Sequence, residues 1–204
     1  MATDAERIIE LYQRHARTWA VARGDLLGGP PMEAGWLDRF LRMLPAYPAV
    51  LDLGCGSGEP IGSYLAEQGC NLTGVDAAPE MITMCKGRLP RHAWHVTDMP
   101  TLSLGRLFDG VLAWDSFLHL SHDDQRRMFP IFRAHAATGA PLMFTTGPAH
   151  GVVVGTFGGE PLYHASLDAA EYRALLGGHG FAIVAHEVED PAYGGRTVWL
   201  ARLL

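Results

Sequence analysis

The stretch Val50-Leu51-Asp52-Leu53-Gly54-Cys55-Gly56-Ser57-Gly58-Glu59-Pro60 reads as a short apolar strand that runs into a glycine-rich turn and then a helix. Glycines there leave room for a ligand to approach the backbone closely, where any side chain would collide with it. The helix start offers N–H groups without intrahelical partners and the positive end of a dipole. Further on, Gly74-Val75-Asp76 ends a second apolar strand with a carboxylate, well placed to accept hydrogen bonds from two ribose hydroxyls. A nucleoside-bearing cofactor fits this pair of features.

The glycine spacing narrows the choice. A dinucleotide fingerprint needs G-x-G-x-x-G, with its last glycine packing helix on strand. Here the run is Asp52-x-Gly54-x-Gly56-x-Gly58, and Glu59 or Ile61 stands where a further glycine would be wanted. A nicotinamide oxidoreductase fails on this spacing. The D-x-G-x-G-x-G form resembles motif I of the class I S-adenosylmethionine (SAM)-dependent methyltransferases, of the small-molecule type. The resemblance continues in register through Asp76, Thr97-Asp98-Met99 and Phe108-Asp109-Gly110-Val111-Leu112-Ala113-Trp114-Asp115, and covers residues 45–204. It implies SAM as cofactor, S-adenosylhomocysteine as product, and a Rossmann-like, doubly wound α/β fold with a seven-stranded sheet in the order 3-2-1-4-5-7-6, strand 7 antiparallel.

Bulk properties agree with one soluble domain. The 204 residues are 48% hydrophobic and 19% charged, with a formal net charge of −6, enough chain to bury a core. Sixteen basic residues against 22 acidic, without a basic run, disfavour a nucleic-acid partner. Cys55, Cys70 and Cys85 form no C-x-x-C pair, so no zinc or other metal site is expected. No basic-then-apolar leader and no apolar run of bilayer-spanning length is visible, and the expectation is a cytoplasmic protein, monomer or homodimer, away from membranes.

Periodicity predicts a helix from Thr3 to Ala22, a loop over Gly24–Pro31, and a second helix from Met32 to Leu44. These first 44 residues read as a helical lid on a core of residues 45–204. Strands and helices then alternate, which implies a parallel sheet covered on both faces. Strands are expected at Val50–Leu53, Asn71–Val75, Ala93–Val96, Gly110–Trp114, Pro141–Thr145, Phe181–Glu187 and Thr197–Arg202. Helices are expected at Glu59–Gln68, Pro79–Arg88, Asp123–Ala137, with a Ser121/Asp124 cap, and Leu167–Leu176, capped by Ser166. Gly147–Tyr163 lacks clear periodicity.

In open α/β sheets the ligand lies beyond the carboxyl ends of the strands. That rule gathers Gly54–Gly58, Asp76–Ala77, Asp98–Met99, Trp114–His119 and Thr146–His150 around one crevice. The resemblance gives Asp52 the loop and the cofactor's amino group, Asp76 the ribose, and the Asp98–Met99 segment the adenine. It adds Ala77, Met81, Trp114, Asp115 and Ser116 to the cofactor wall, with Cys55 and Ser57 in the turn. Asp98 reads equally as a turn cap, and Cys55 as a small lining residue rather than a nucleophile. In the first helix, Trp19 is either lid or core, and Arg23 either a partner of the cofactor carboxylate or a solvated helix end. His119 resembles a histidine at this point in small-molecule methyltransferases. It is expected to titrate near neutrality, as a base toward the acceptor or as a packed, backbone-bonded ring. His150, Tyr163 and His164 are its rivals around an irregular segment. No N/D-P-P-Y/F motif follows strand 4. Methyl transfer to a small molecule is the leading reading, and a non-catalytic SAM-binding module the alternative.

Overall fold

The computed structural model describes residues 4–23 and 31–204. Thr3 and most of the loop expected before Pro31 lie outside the described residues.

Helix α1 (Asp4–Ala22) and helix α2 (Ala34–Leu41) precede the alternating part of the chain. That part runs β1 (Ala49–Leu53), α3 (Ile61–Glu67), β2 (Asn71–Asp76), α4 (Pro79–Arg88), β3 (Ala93–Val96), β4 (Gly110–Ala113), α5 (His122–His135) and β5 (Pro141–Thr146). After β6 (Gly151–Phe157) and β7 (Glu160–Ser166) come α6 (Ala169–Gly178), β8 (Phe181–Asp190) and β9 (Arg196–Leu203). Seven strands form one sheet in the order β3-β2-β1-β4-β5-β9-β8. Only β9 runs against its neighbours. This is the topology that the resemblance implied.

The sheet is apolar on both faces because helices cover both, so central strands carry little polar alternation. Every residue of β4 and β5 is buried. Side-chain alternation still divides the core in two. Leu51, Leu53, Val111, Leu142 and Phe144 pack with Phe129, Phe132, Tyr172 and Trp199 on the α5–α6 side. Val50, Leu112 and Met143 pack on the opposite side with Trp36, Phe40, Leu65 and Trp94. Asp52 shares the parity of Val50 and projects to that second side. Trp36, Leu37 and Phe40 of α2 are fully buried there, so α2 belongs to the core and α1 alone covers the strand ends.

Two expectations are corrected. Residues 147–163 are not irregular: β6 and β7 form an antiparallel hairpin in register from Gly151↔Ser166 to Phe157↔Glu160. Its turn is Gly158-Gly159, with φ of 59° and 83°, the left-handed pair that suits a tight hairpin. Val152, Val153 and Val154 are 50%, 68% and 52% exposed, so β6 buries neither face and no alternation marks it. The cap of α6 is Asp168, which accepts the Glu171 N–H at 2.9 Å. Ser166 ends β7 instead and accepts the Gly147 N–H at 2.7 Å. The Ser121 cap of α5 is as expected, accepting the Asp124 N–H at 3.2 Å.

Gln125 joins α5 to the hairpin and to α6. Fully buried, its amide donates to the Leu120 and Ala165 carbonyls at 3.1 and 2.8 Å, and its oxygen accepts the Tyr172 hydroxyl at 2.6 Å. Gln125→Leu leaves these groups without their partner in a dry core. It should cost about 3 kcal/mol in urea unfolding, at the upper end for one unsatisfied buried group.

Candidate active site

The strands of the parallel half end at one level, and the chain segments that leave them build the site. After β1, Gly54 and Cys55 donate their N–H groups to the Val75 carbonyl at 2.8 and 3.0 Å, which holds the turn to the end of β2. Asp76 closes the same junction from its side chain: one oxygen accepts the Gly56 N–H at 3.0 Å, the other the Ala78 N–H at 2.9 Å. Burial pushes its carboxyl up to about 6 despite these two donors. Gly56, at φ 54°, lies under the Trp19 indole, 2.8 Å from where a Cβ would stand. Glycine is therefore required for both conformation and space.

A cavity of about 530 Å³ opens beyond these ends. Its wall includes Gly54, Gly56, Asp76, Ala77, Met81, Asp98, Met99, Asp115, Ser116 and His119, with Tyr12 and Trp19 from α1 and Tyr163 from β7. A second cavity of about 30 Å³ lies among Asp52, Cys55, Trp114 and Arg23. Trp19, Gly54 and Asp115 line both, so the two meet across this trio. The sequence-expected residues thus divide into two neighbouring groups. Ser57 and Gly58 line neither: Ser57 is fully buried, and Gly58 faces Cys85. His150 does not reach the wall; it is exposed and stacks on His122 with ring centroids 4.5 Å apart. His164 also lies off the wall, half-buried and stacked on His119 at 4.8 Å.

Asp115 occupies the end of β4 with φ 48°. Its N–H donates to Thr145 Oγ1 at 2.8 Å. Arg196, at the start of β9, donates Nε to both carboxylate oxygens at 2.8 Å, with Nη2 2.7 Å from one of them. Arg23 reaches the same carboxylate at 3.3 Å and Glu33 at 2.7 Å. Arg23 is accordingly a paired, largely buried cation rather than a solvated helix end. Arg196 went unrecognised from sequence, because it lies 81 residues from its partner with no motif around it.

His119 is buried, and both ring nitrogens are engaged. A carbonyl only accepts, so the bond of 2.9 Å between Nδ1 and the Tyr163 carbonyl places the proton on Nδ1. In the neutral ring Nε2 then accepts the Tyr12 hydroxyl at 2.8 Å. Burial pushes the imidazole down to about 4, which replaces the expected titration near neutrality with a neutral ring. Burial raises the Tyr12 phenol in turn, with Asp115 and Asp76 adding to it.

Cys55 is a buried thiol held protonated by burial, 4.0 Å from Cys85 Sγ. Asp98 lines the large cavity from an exposed position, its carboxyl raised by partial desolvation and by Asp124. No His/Cys/Asp/Glu cluster suited to a metal occurs among the described residues, and none of their helices is long and apolar enough to cross a membrane.

Burial pushes the Asp52 carboxyl up to about 7, with Asp76 contributing. A carboxyl raised above its unfolded value of about 3.9 favours the fold fully below that value, and the benefit is lost as pH rises through the folded pKa. Asp52→Asn should therefore be more stable than the wild type at pH 8. The gain should shrink as pH falls through 7 toward 4, as read by thermal unfolding across that range.

Residues 50–139 match the family model described as a methyltransferase domain. A stretch of 106 residues is 35% identical to the magnesium-protoporphyrin O-methyltransferase of Rhodobacter capsulatus, over 48% of this chain and 45% of that protein. The chain thus spans less than half the length of the curated relatives it matches. Among solved structures, the SAM-bound amino pentose methyltransferase of calicheamicin biosynthesis from Micromonospora echinaspora superposes with a TM-score of 0.74 at 20% identity, over 92% of this chain and 97% of that one. A sugar N-methyltransferase from Streptoalloteichus does so with a TM-score of 0.72 at 21% identity, over 92% of each. These likenesses carry the fold, and the family-model match shows that residues 50–139 are similar to a methyltransferase domain.

Proposed function

We propose that the protein transfers the methyl group of SAM to a small-molecule acceptor held in the large cavity under α1. The observation that carries this reading is Asp76, fixed by two backbone N–H groups at the mouth of the glycine turn, with acceptor capacity left on both oxygens. That is the chemistry a ribose diol needs. Asp98 and Met99 line the same cavity, and a carboxylate acceptor there suits the adenine amino group. The small cavity suits the amino-acid end of the cofactor. Asp52 and Arg23 line it, and so does Trp114, whose indole Nε1 is buried without a hydrogen-bond partner among the described residues. An unpaired buried donor of this kind fits a carboxylate ligand.

SAM supplies an electrophilic methyl group with a neutral thioether as leaving group. The residues of the chain bind, orient and exclude water, and positioning of this kind can provide much of the rate. His119 acts through Tyr12: by accepting the phenol proton it fixes the direction of the hydroxyl at the cavity wall.

Two experiments test the reading. Calorimetry with SAM and S-adenosylhomocysteine should show saturable binding that Asp76→Ala weakens at least about tenfold, since two hydroxyls lose their acceptor. Affinity for the cationic cofactor should rise from pH 5 to pH 8 as Asp76 and Asp52 ionise, because binding below about 6 and 7 must displace their protons. Unchanged affinity in Asp76→Ala would remove the ribose assignment. With an acceptor that is turned over, Tyr12→Phe should lower kcat/KM about tenfold while the SAM dissociation constant changes little. Binding of SAM without formation of S-adenosylhomocysteine from any acceptor would favour the binding-module reading.

A further inference from the structure

The wall of the large cavity carries four carboxylates, Asp76, Asp98, Asp115 and Asp124, and no lysine or arginine among the described residues. The cations nearby are already committed. Arg196 and Arg23 are held by Asp115 and Glu33, and Arg127 lies 2.6 Å from Asp124. Asp76 and Asp98 are spoken for by the cofactor in the reading above. An anionic acceptor would therefore leave water for a wall that offers it no positive charge, at a cost that an unpaired buried ion cannot recover.

The wall also lacks a vacant base. A hydroxyl is a poor nucleophile until its proton is removed as it attacks. The one imidazole on the wall, His119, has both nitrogens bonded, to Tyr12 and to the Tyr163 carbonyl. His164 stacks on that ring and does not line the cavity. The Tyr12 phenol directs its proton to His119, so its oxygen faces a ligand as an acceptor only. The same wall carries the apolar Ile8, Ile9 and Leu120.

From this arrangement we infer that the acceptor is an uncharged amine on a small, partly apolar molecule, and that carboxylate, phosphate and simple hydroxyl acceptors are excluded. The inference rests on the methyltransferase reading and deepens it. An amine needs no base before it reacts. Its lone pair forms the N–C bond while the C–S bond breaks and leaves its electron pair on sulfur. The positive charge passes from sulfur to nitrogen, and the product ammonium afterwards gives its proton to solvent. Tyr12 oxygen accepts an N–H of the amine, which orients the lone pair. The carboxylate-rich wall tolerates the cation at both stages, on sulfur before transfer and on nitrogen after it.

The test uses the full chain and matched sets of acceptors: amino sugars and aromatic amines, each with its hydroxyl and carboxylate counterpart. First, protein saturated with S-adenosylhomocysteine is titrated calorimetrically. At least one amine should bind, and at least about tenfold more tightly than its carboxylate counterpart. Second, the pooled set is incubated with methyl-labelled SAM, and mass spectrometry should place the label on nitrogen. Label on oxygen overturns the inference. So does a carboxylate that binds as tightly as its amine, or a protein that binds SAM yet neither binds nor labels any amine. Failure to bind SAM and S-adenosylhomocysteine strikes the cofactor reading instead.

Discussion

One carboxylate, that of Asp115, meets three parts of the chain that would otherwise be independent. It sits at the end of a central strand in a left-handed conformation that L-residues rarely adopt, at a cost of roughly 1 kcal/mol or more. The Arg196 fork from β9 and the Arg23 guanidinium from the end of α1 converge on it. Its own N–H is met by Thr145 from β5. Exposed ion pairs are worth little, but this pair is bidentate and mostly shielded, with Asp115 and Arg196 side chains 23% and 22% exposed. Such a pair fixes direction as well as energy. Arg23 thereby ties the end of α1 to the strand ends, beside the Tyr12–His119 bond and the packing of Ala16 against Ala78 and Met81.

The same pairing decides the electrostatics of the site. Arg196 and Arg23 pair with Asp115 and Glu33 and do not line the large cavity. What remains on the wall is acidic or apolar. Burial on or beside a wall without lysine or arginine among the described residues is why three wall or near-wall carboxyls, Asp52, Asp76 and Asp98, have raised rather than lowered pKa values. Cationic charge brought by a ligand relieves that desolvation cost, so the site is poised to bind positive charge before any ligand is present.

Much of this architecture could be read from the chain, and the limits have physical causes. The glycine turn and Asp76 were legible because backbone conformation and close approach demand particular residues within a few positions of one another. The sheet was legible because strands buried on both faces stay apolar throughout. The β6–β7 hairpin was missed since β6 buries neither face; only the Gly158-Gly159 pair between valine-rich and mixed segments signalled it. Arg196 and the Tyr12–His119 bond were invisible for another reason. Each joins residues 81 or 107 positions apart, and nothing in local sequence encodes the partner of a long-range polar contact. His150 failed as a candidate because a histidine near a strand end can point along either side of the loop, and sequence does not say which.

The His119 result shows why geometry must precede a proton-transfer role. A histidine one turn beyond β4 looks like a base when only its intrinsic pKa is considered. In place, it is walled by Tyr12, Tyr163 and His164, and burial removes the charged form from the physiological range. The ring then serves better as an acceptor of fixed direction than as a titrating group. Its two bonds tie three segments together: Tyr12 comes from α1, His119 from the turn after β4, and Tyr163 from β7. A ligand that enters beneath α1 must leave this chain of bonds intact or exchange it for its own. A polar group on such a ligand therefore competes with, or extends, the Tyr12 hydroxyl, and an N–H donor extends it without breaking the bond to His119.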